Sequence, residues 1–364
     1  MDTEAALGNI PAAIIADIVL YCIPDNENIP QKLKTTLQLG FINQNWHRAV
    51  SPLASRYVCF EHGMPDTLAL RSRDVAEIKY ERQEACTSSN IECVSNTDNV
   101  TCVHLAVYCL RTPIEGLEQL LSHIATFNAE WGNVTRLEVS IKVNSHLTVW
   151  RAQDISKYTA DIETLCETIA RLMPNIQRIS THGSSLHPVV KELCSEMAKR
   201  YSSKLTSLAS NIPLAVPRKH IFTSLAFVNI NLKHIHEFQM PRISAQTIVS
   251  LKISGNVDNL NWSLFAVDAS DEVVLPHLQC LELDFVYKSR SYGSSGLEAL
   301  QRKAYLPKLK TLKLSTTARE CCLFKLTRLP CRMDCLQVSA PSSVIRSLEK
   351  CGMPQVDNLQ INKQ

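Results

Sequence analysis

The sequence is poor in glycine and aromatic residues, and it lacks the short motifs on which many catalytic sites depend. Only 10 of its 364 residues are glycine, and aromatic residues make up 6%. It contains no Gly-x-x-x-x-Gly-Lys-Ser/Thr phosphate loop, no Gly-x-Ser-x-Gly nucleophile turn and no His-Glu-x-x-His metal motif. These absences argue against a nucleotide hydrolase, a serine hydrolase or a metalloprotease. We expect a protein that is not an enzyme and needs no cofactor.

The sequence also lacks a long apolar run and a strong net charge. Its most apolar early segment, Ile10 to Ile23, contains Asp17 and is too short to cross a bilayer. The first residues include Asp2 and Glu4 and do not resemble a secretory signal. The formal net charge of +3 is too small to indicate nucleic acid or an anionic membrane as a partner. We therefore expect binding to neither.

The 14 cysteines include no Cys-x-x-Cys pair. Several stand at apolar positions of expected helices or strands, as Cys102, Cys166 and Cys194 do. A free cysteine packs there as a small hydrophobic residue, and free thiols are typical of reducing compartments. This usage predicts a cytoplasmic or nuclear protein with unpaired thiols.

Two groups of possible metal ligands do not have the spacing of a metal site. The pair His234 and His236 has no evident third ligand. The second group consists of Cys321, Cys322, Cys331 and Cys335. The spacing of these cysteines matches no usual zinc pattern. We expect no bound metal, and we interpret the histidine pair as a surface feature.

One short pattern recurs along most of the chain. The segment from Leu275 to Leu283 reappears almost unchanged from Leu306 to Leu314. Its core is an apolar residue, two spacers, a central apolar anchor, one spacer and another apolar residue. The last three positions alternate as in a half-buried strand. Because one unit cannot bury its own apolar face, the copies are expected to stack on one another.

The copies are aligned on their central anchors. The last six lie about 23 to 31 residues apart, and they are Leu225, Leu251, Leu281, Leu312, Leu336 and Leu359. An earlier clear copy is centred on Leu137, and weaker copies are centred on Val103, Ile179 and Leu208. The alignment predicts that the six leucines lie side by side in one core.

Apolar residues at helical spacing between the anchors predict connecting helices. These segments are Ser156–Leu172, Pro188–Tyr201 and the shorter Leu297–Tyr305 and Ser343–Lys350. The alternation of strand and helix resembles the leucine-rich-repeat family, of the ribonuclease-inhibitor-like type. This resemblance implies an α/β solenoid over residues 100–364, with a parallel inner sheet and outer helices.

The period of the strands also predicts which side chains face outward. If the anchors point into the core, their sequence neighbours line the concave surface of the solenoid. Such a strip of polar side chains can hold a protein partner. The candidates are Arg136, Glu138, Lys252, Glu282, Asp284, Lys313, Gln337 and Gln360. The simpler interpretation, that they are only solvated sheet residues, remains open.

Residues 1–60 carry a different pattern. Pro11 suits the first turn of a helix, and Ile14, Ile15 and Ile18 follow with helical spacing. A polar insert at residues 24–30 breaks this helix, and a second helical stretch continues through Phe41, with a possible bend, to Trp46 and beyond. A short strand is expected at about residues 57–60, and residues 61–99 are expected to form a first strand region and a polar linker.

This block resembles the F-box family in its Leu-Pro-like start, its apolar residues at helical spacing and its Trp-containing closing helix. The matching residues are Ile10, Pro11, Ile14, Ile15, Ile18, Leu39, Phe41, Ile42, Trp46 and Val50. The resemblance implies an F-box-like helical module that docks on a Skp-type adaptor. The residues that it assigns to this contact are Ile10, Pro11, Ile14, Ile15, Ile18, Phe41 and Trp46.

Together the two resemblances imply a non-catalytic substrate-recognition subunit of a Skp–cullin–F-box ubiquitin ligase. Its partners would be a Skp-type adaptor, the cullin ligase core and a protein substrate on the concave strip. The alternative is a leucine-rich-repeat interaction scaffold whose helical module only seals the first repeat. Ile10 in place of the usual leucine, Asn43 in place of cysteine or serine, and the insert at 24–30 favour this alternative.

Overall fold

A computed structural model of the chain consists of two compact units, unit 1 (residues 1–184) and unit 2 (residues 185–364). Both are built around parallel strands, so the predicted α/β class is confirmed. The structure describes residues 10–23, 28–63, 86–89, 97–109, 113–126, 131–143, 155–183, 187–212, 214, 222–232, 247–256, 273–286, 304–316, 332–340, 342, 345–346 and 355–363.

The described part of unit 1 begins with three helices, which we call the helical module: α1 (Ala12–Cys22), α2 (Ile29–Gly40) and α3 (Gln44–Ala54). Asn28 caps α2, because its Oδ1 accepts the N–H of Gln31 at 2.8 Å. Asn43 caps α3 in the same way and ends the expected second helix. Helices α1 and α3 share a core of Ile15, Val19, Ile23, Trp46, Ala49, Val50 and Leu53, and Leu39 of α2 packs against it.

The sheet of unit 1 follows directly after α3. Its strands are β1 (Tyr57–His62), β2 (Cys86–Ser89), β3 (Cys102–Cys109), β4 (Arg136–Val143) and β5 (Arg178–Gly183). Their order is β2-β1-β3-β4-β5, and only β2 is antiparallel to its neighbour. The connecting helices are α4 (Pro113–Ala125) and α5 (Ile155–Leu172). The strand expected near residues 57–60 is therefore confirmed.

The described part of unit 2 begins with helix α6 (Pro188–Arg200) and continues with seven parallel strands. They are β6 (Ser207–Ser210), β7 (Phe227–Leu232), β8 (Ser250–Asn256), β10 (Cys280–Val286), β12 (Thr311–Thr316), β13 (Arg332–Ala340) and β14 (Gln355–Lys363). Each strand pairs with the next in this order. Two short strands, β9 (Val273–Val274) and β11 (Ala304–Tyr305), pair separately with each other.

A repeated backbone arrangement, which we call the carbonyl ladder, precedes most strands. One carbonyl oxygen accepts the N–H groups of two consecutive residues at the start of the next strand. The Lys310 oxygen, for example, accepts from Asp334 at 2.9 Å and Cys335 at 3.0 Å. The same arrangement recurs at the carbonyls of Arg56, Thr101, Thr135, Thr206, Ala226, Val249 and Gln279. In every case the carbonyl lies two residues before the buried anchor of its own strand.

The predicted register is confirmed for the central copies. Leu281 pairs in register with Leu251 on one side and Leu312 on the other, and Leu312 pairs with Leu336. All four side chains are buried. The weaker copies centred on Val103, Ile179 and Leu208 also lie at buried anchor positions of parallel strands.

Two leucines do not occupy the positions that were predicted for them in the row of buried anchors. Leu225 is not an anchor, because Val228 pairs with Leu251 and the ladder carbonyl lies at Ala226. Both frames fit the spacing, but the predicted frame would bury Phe227, which is 54% exposed. Leu359 does pair with Leu336, yet it remains 45% exposed. The prediction that all six leucines lie side by side in one core was therefore wrong at both ends: Leu225 is buried but lies outside the row, and Leu359 lies in the row but is partly exposed.

The two longer connecting helices are confirmed as α5 and α6. Of the predicted helix Leu297–Tyr305, residues 297–303 lie outside the described ranges, and the last two residues form β11 instead. Of Ser343–Lys350, only Ile345 and Arg346 are described, and both are helical. Within the predicted linker, residues 64–85 and 90–96 lie outside the described ranges.

Candidate binding surfaces

The helical module exposes an unusual number of large apolar side chains. Seven of the nine exposed large hydrophobic residues in the described part of the chain belong to it: Ile14, Ile18, Leu20, Tyr21, Leu37, Phe41 and Ile42. Phe41 is 83% exposed and Tyr21 is 92% exposed. Ile14, Ile18 and Tyr21 form one stripe of α1 at helical spacing. Exposed apolar surface of this kind commonly marks a protein interface.

The residues that were predicted to bind an adaptor divide into two groups. Pro11, Ile14, Ile18 and Phe41 are exposed and can contact a partner. Ile15 and Trp46 are buried in the core of the helical module, and Ile10 packs partly against that core. A direct contact role for Ile15 and Trp46 was therefore wrong, because α1 and α3 turn these side chains towards each other.

The prediction that Glu138 is an exposed partner-binding residue also has to be corrected. It lies on the polar face of the sheet in unit 1, as predicted, but its side chain is only 2% exposed. Its Oε2 accepts the backbone N–H of Ile29, the first residue of α2, at 2.8 Å. The neighbouring Arg136 is also mostly covered, with a 14% exposed side chain. In unit 1 the polar face is thus partly occupied by the helical module itself, so Glu138 is not an open partner-binding position.

Three residues on this face form a row that resembles a nucleophilic site in composition. Cys59, His104 and Glu138 are register neighbours on β1, β3 and β4. Burial raises the pKa of the Cys59 thiol to about 12, so the thiol stays protonated at neutral pH. Burial also lowers the pKa of His104 to about 4, and its Nε2 pairs with Ser140 Oγ at 2.9 Å. A buried, protonated thiol is a poor nucleophile, and the row is better explained as packing.

Unit 2 carries a polar face that is open. Along its strands, the positions between the buried anchors form a central row of Asn229, Lys252, Glu282, Lys313, Gln337 and Gln360. The row beside it contains Asp284 between Ser254 and Ser315. The six partner-binding candidates of unit 2 therefore share one face in the predicted register. Their side chains are partly or fully exposed.

The charges in the central row are paired with each other. Glu282 Oε1 is paired with Lys252 Nζ, and Glu282 Oε2 lies 4.0 Å from Lys313 Nζ. All three side chains are partly exposed, so solvent screens their attraction. The face consequently presents carboxamides and a triad of two lysines and one glutamate rather than a strong charge of one sign.

We expect a weak coupling within this triad. A double-mutant cycle of Lys252→Ala and Glu282→Ala, measured by urea unfolding, should give a coupling of about 0.2–1 kcal/mol. The coupling should fall in high salt because the pair is exposed. A value above about 2 kcal/mol that does not depend on salt would contradict this expectation.

Phe227 is a surface residue that the sequence prediction did not identify. It precedes Asn229 on the polar face of unit 2 and pairs in register with Ser207 and Ser250, both small. Aromatic residues that stand exposed on a polar face are frequent anchors of protein interfaces. The run from Val228 to Leu232 alternates apolar and polar residues, and this signal could have identified the correct frame and the exposure of Phe227.

The described part of the chain contains neither a candidate metal cluster nor a helix that could span a membrane. Its His, Cys, Asp and Glu side chains form no group of three or more that could hold a metal ion. No described helix is both long enough and apolar enough to cross a bilayer. Cys335 lies on β13, whereas Cys321, Cys322, Cys331, His234 and His236 lie outside the described residues.

Comparison with known proteins gives no match to any family model, curated protein or solved structure. The described residues offer two candidate binding surfaces: the exposed apolar residues of the helical module and the open polar face of unit 2.

Proposed function

We propose that the chain is a non-catalytic substrate-recognition adaptor of a Skp–cullin–F-box ubiquitin ligase. The F-box-like helical module binds a Skp-type adaptor, which connects it to the cullin ligase core. A leucine-rich-repeat solenoid of the ribonuclease-inhibitor-like type holds the protein substrate. The chain makes no bond itself but places two proteins near each other, in the cytoplasm or nucleus, and such positioning is a major source of rate in bimolecular reactions.

The observation that carries this proposal is the exposed apolar surface of the helical module. A module that served only as a cap would bury its large apolar side chains against the first strands. Instead Ile14, Tyr21 and Phe41 are more than half exposed, while a separate core of Ile15, Val19 and Trp46 already stabilises the helices. The module thus has one apolar set for its own folding and another that is available to a partner.

The open polar face of unit 2 supports the substrate side of the proposal. Carboxamides such as Asn229 and Gln337 can both donate and accept hydrogen bonds. Phe227 adds an exposed apolar contact on the same face. Because the ion triad is already paired, we expect recognition that depends on shape and hydrogen bonding more than on net charge.

One observation favours the alternative of a plain interaction scaffold. Helix α2 packs on the first strands of unit 1, where Ile29 and Leu33 share a buried cluster with Cys59. A terminal cap of a repeat array likewise covers residues of the repeat next to it. In that case the open face of unit 2 would still hold a partner, but the helical module would bind no adaptor.

An adaptor-binding experiment separates the two functions. Full-length wild-type chain should retain a purified recombinant Skp-type adaptor, and Ile14→Asp and Phe41→Ala should each weaken binding at least about tenfold. Both side chains are exposed, so neither change should lower the melting temperature by more than about 2 °C. Binding is measured by calorimetry, and folding by circular dichroism.

Lys34→Ala is the matched control, since Lys34 lies on an exposed part of α2 outside the apolar set. It should bind adaptor like the wild type. If the folded wild-type chain binds no adaptor, the ligase function is refuted and the scaffold remains. Equal binding by wild type and both variants would show that a different surface makes the contact.

A further inference from the structure

Glu138 and Glu282 occupy the same position of the repeat but have different surroundings. Each follows a buried leucine anchor, Leu137 or Leu281, and points to the polar face of its sheet. Glu282 is partly exposed and paired with two lysines of neighbouring strands. Glu138 is buried, and its contact from outside the sheet comes from the helical module.

The contact of Glu138 is directed at the amino end of α2. The N–H of Ile29 is one of the first-turn donors that a helix cannot satisfy internally. Glu138 Oε2 accepts it at 2.8 Å, and the positive end of the helix dipole adds to the attraction. Asn28 caps a different first-turn donor, that of Gln31. The carboxylate therefore supplies the helix with a partner that no residue in its own sequence supplies.

The charges around Glu138 explain why the carboxylate is tolerated in a buried place. Arg136 Nη2 lies 3.8 Å from Oε2, and His182 Nε2 lies 3.8 Å from Oε1. A buried carboxylate is stable only when such partners offset its lost hydration. Removing its charge would take away the counter-charge that lies 3.8 Å from Arg136 Nη2.

The rest of the contact between α2 and the sheet is small. Its buried members are Ile29, Leu33, Ala54 and Cys59, with Tyr57 and Cys102 partly buried beside them. Cys59 of β1 and Cys102 of β3 therefore pack in the cluster that contains Ile29 and Leu33 of α2. Only two residues, Ser55 and Arg56, connect α3 to β1. Separation of the helical module from the sheet therefore requires a backbone change at these two residues, which we call the hinge.

We propose that Glu138 is the positioning residue that holds the helical module down on the polar face of unit 1, and that its charge is required for this. Without the charge, the module remains folded around its own core but lifts from β1 and β3 about the hinge at residues 55–56. This inference goes beyond the proposed function and does not depend on it, because it concerns a contact within one unit of the chain.

The buried thiols provide a direct test. Full-length wild type, Glu138→Gln and Glu138→Ala are treated with N-ethylmaleimide at neutral pH, and labelling of each cysteine is followed by peptide mass spectrometry. We expect labelling of Cys59 to accelerate at least about tenfold in both variants, since reaction of a buried group follows the population of the open state. Cys166, buried in α5 of the same unit, should stay protected.

Glu282→Gln is the matched control, because it makes the same chemical change at the equivalent repeat position. It should leave labelling of Cys59 as in the wild type. Unchanged labelling of Cys59 in both Glu138 variants would overturn the proposal and assign the contact to apolar packing alone. Parallel acceleration at Cys59 and Cys166 would also overturn it, since Glu138 would then stabilise unit 1 as a whole. Neither result depends on whether a Skp-type adaptor binds.

Discussion

Leu312→Ala should lower the free energy of unfolding by about 2–5 kcal/mol. Leu312 is 1% exposed and lies between Leu281 and Leu336 in the row of buried anchors. Truncation removes apolar surface from the core and leaves a cavity that strands fixed on both sides cannot close. Urea unfolding followed by far-ultraviolet circular dichroism measures the loss.

Leu359→Ala is the control, because it makes the same truncation in the same register row. Leu359 is 45% exposed, so the change should cost less than about 1 kcal/mol. The difference between the two variants tests whether burial between neighbouring strands stabilises the array. Equal losses would contradict the stacked arrangement of the anchors.

Trp46→Ala should destabilise the helical module by about 3–5 kcal/mol. The side chain is 5% exposed and packs with Ile15, Val19 and Val50 in the core that joins α1 to α3. Because this core is small, the three helices should open together. Amide exchange across residues 12–54, measured by mass spectrometry, would show the loss of protection.

Phe41→Ala provides the comparison, since it removes another aromatic side chain from the same module. Phe41 is 83% exposed, and its removal should change amide exchange of the helices little. The pair also affects how adaptor experiments are interpreted: lost binding in Trp46→Ala would reflect unfolding, whereas lost binding in Phe41→Ala would reflect a missing contact. Unchanged exchange in Trp46→Ala would contradict the assignment of Trp46 to the core.

The repeat array was predictable where side chains of one kind recur at a fixed spacing. Leu281 and Leu312 stand in nearly identical segments, and the alternation around them allows only one face to be buried. The same alternation placed Lys252, Glu282 and Lys313 on the opposite face. These features depend on local sequence and on the two-residue period of a strand, and both can be recognised in a single sequence.

The frame of β7 was not predictable from anchor spacing alone. Two overlapping frames, centred on Leu225 and on Val228, place apolar residues at the same relative positions. The frames differ in whether Phe227 is buried or exposed. Pairing with β8 decides the matter, because it aligns Val228 with Leu251 and turns Phe227 to the polar face.

The burial of Glu138 could not be inferred from its neighbours in sequence. Its partner, Ile29, lies 109 positions earlier in the chain, and the strand pattern around Glu138 is the same as that around the open Glu282. Only the docking of α2 distinguishes the two. For the same reason, helical spacing identified Ile14, Ile15 and Ile18 as one group, although packing among the three helices buries Ile15 and exposes the other two.

The carbonyl ladder makes the array modular for protein engineering. Each bond pair of the ladder uses one backbone carbonyl oxygen and two backbone N–H groups. Any residue except proline, which has no N–H, can therefore supply the donors. Joining residue 248 to residue 279 would delete one whole coil and bring the Gln279 and Cys280 amides to the Ala226 oxygen, in place of those of Val249 and Ser250. To shorten or lengthen the protein, the chain should be joined just before the two residues whose N–H groups bind a ladder carbonyl, rather than at the leucine anchors.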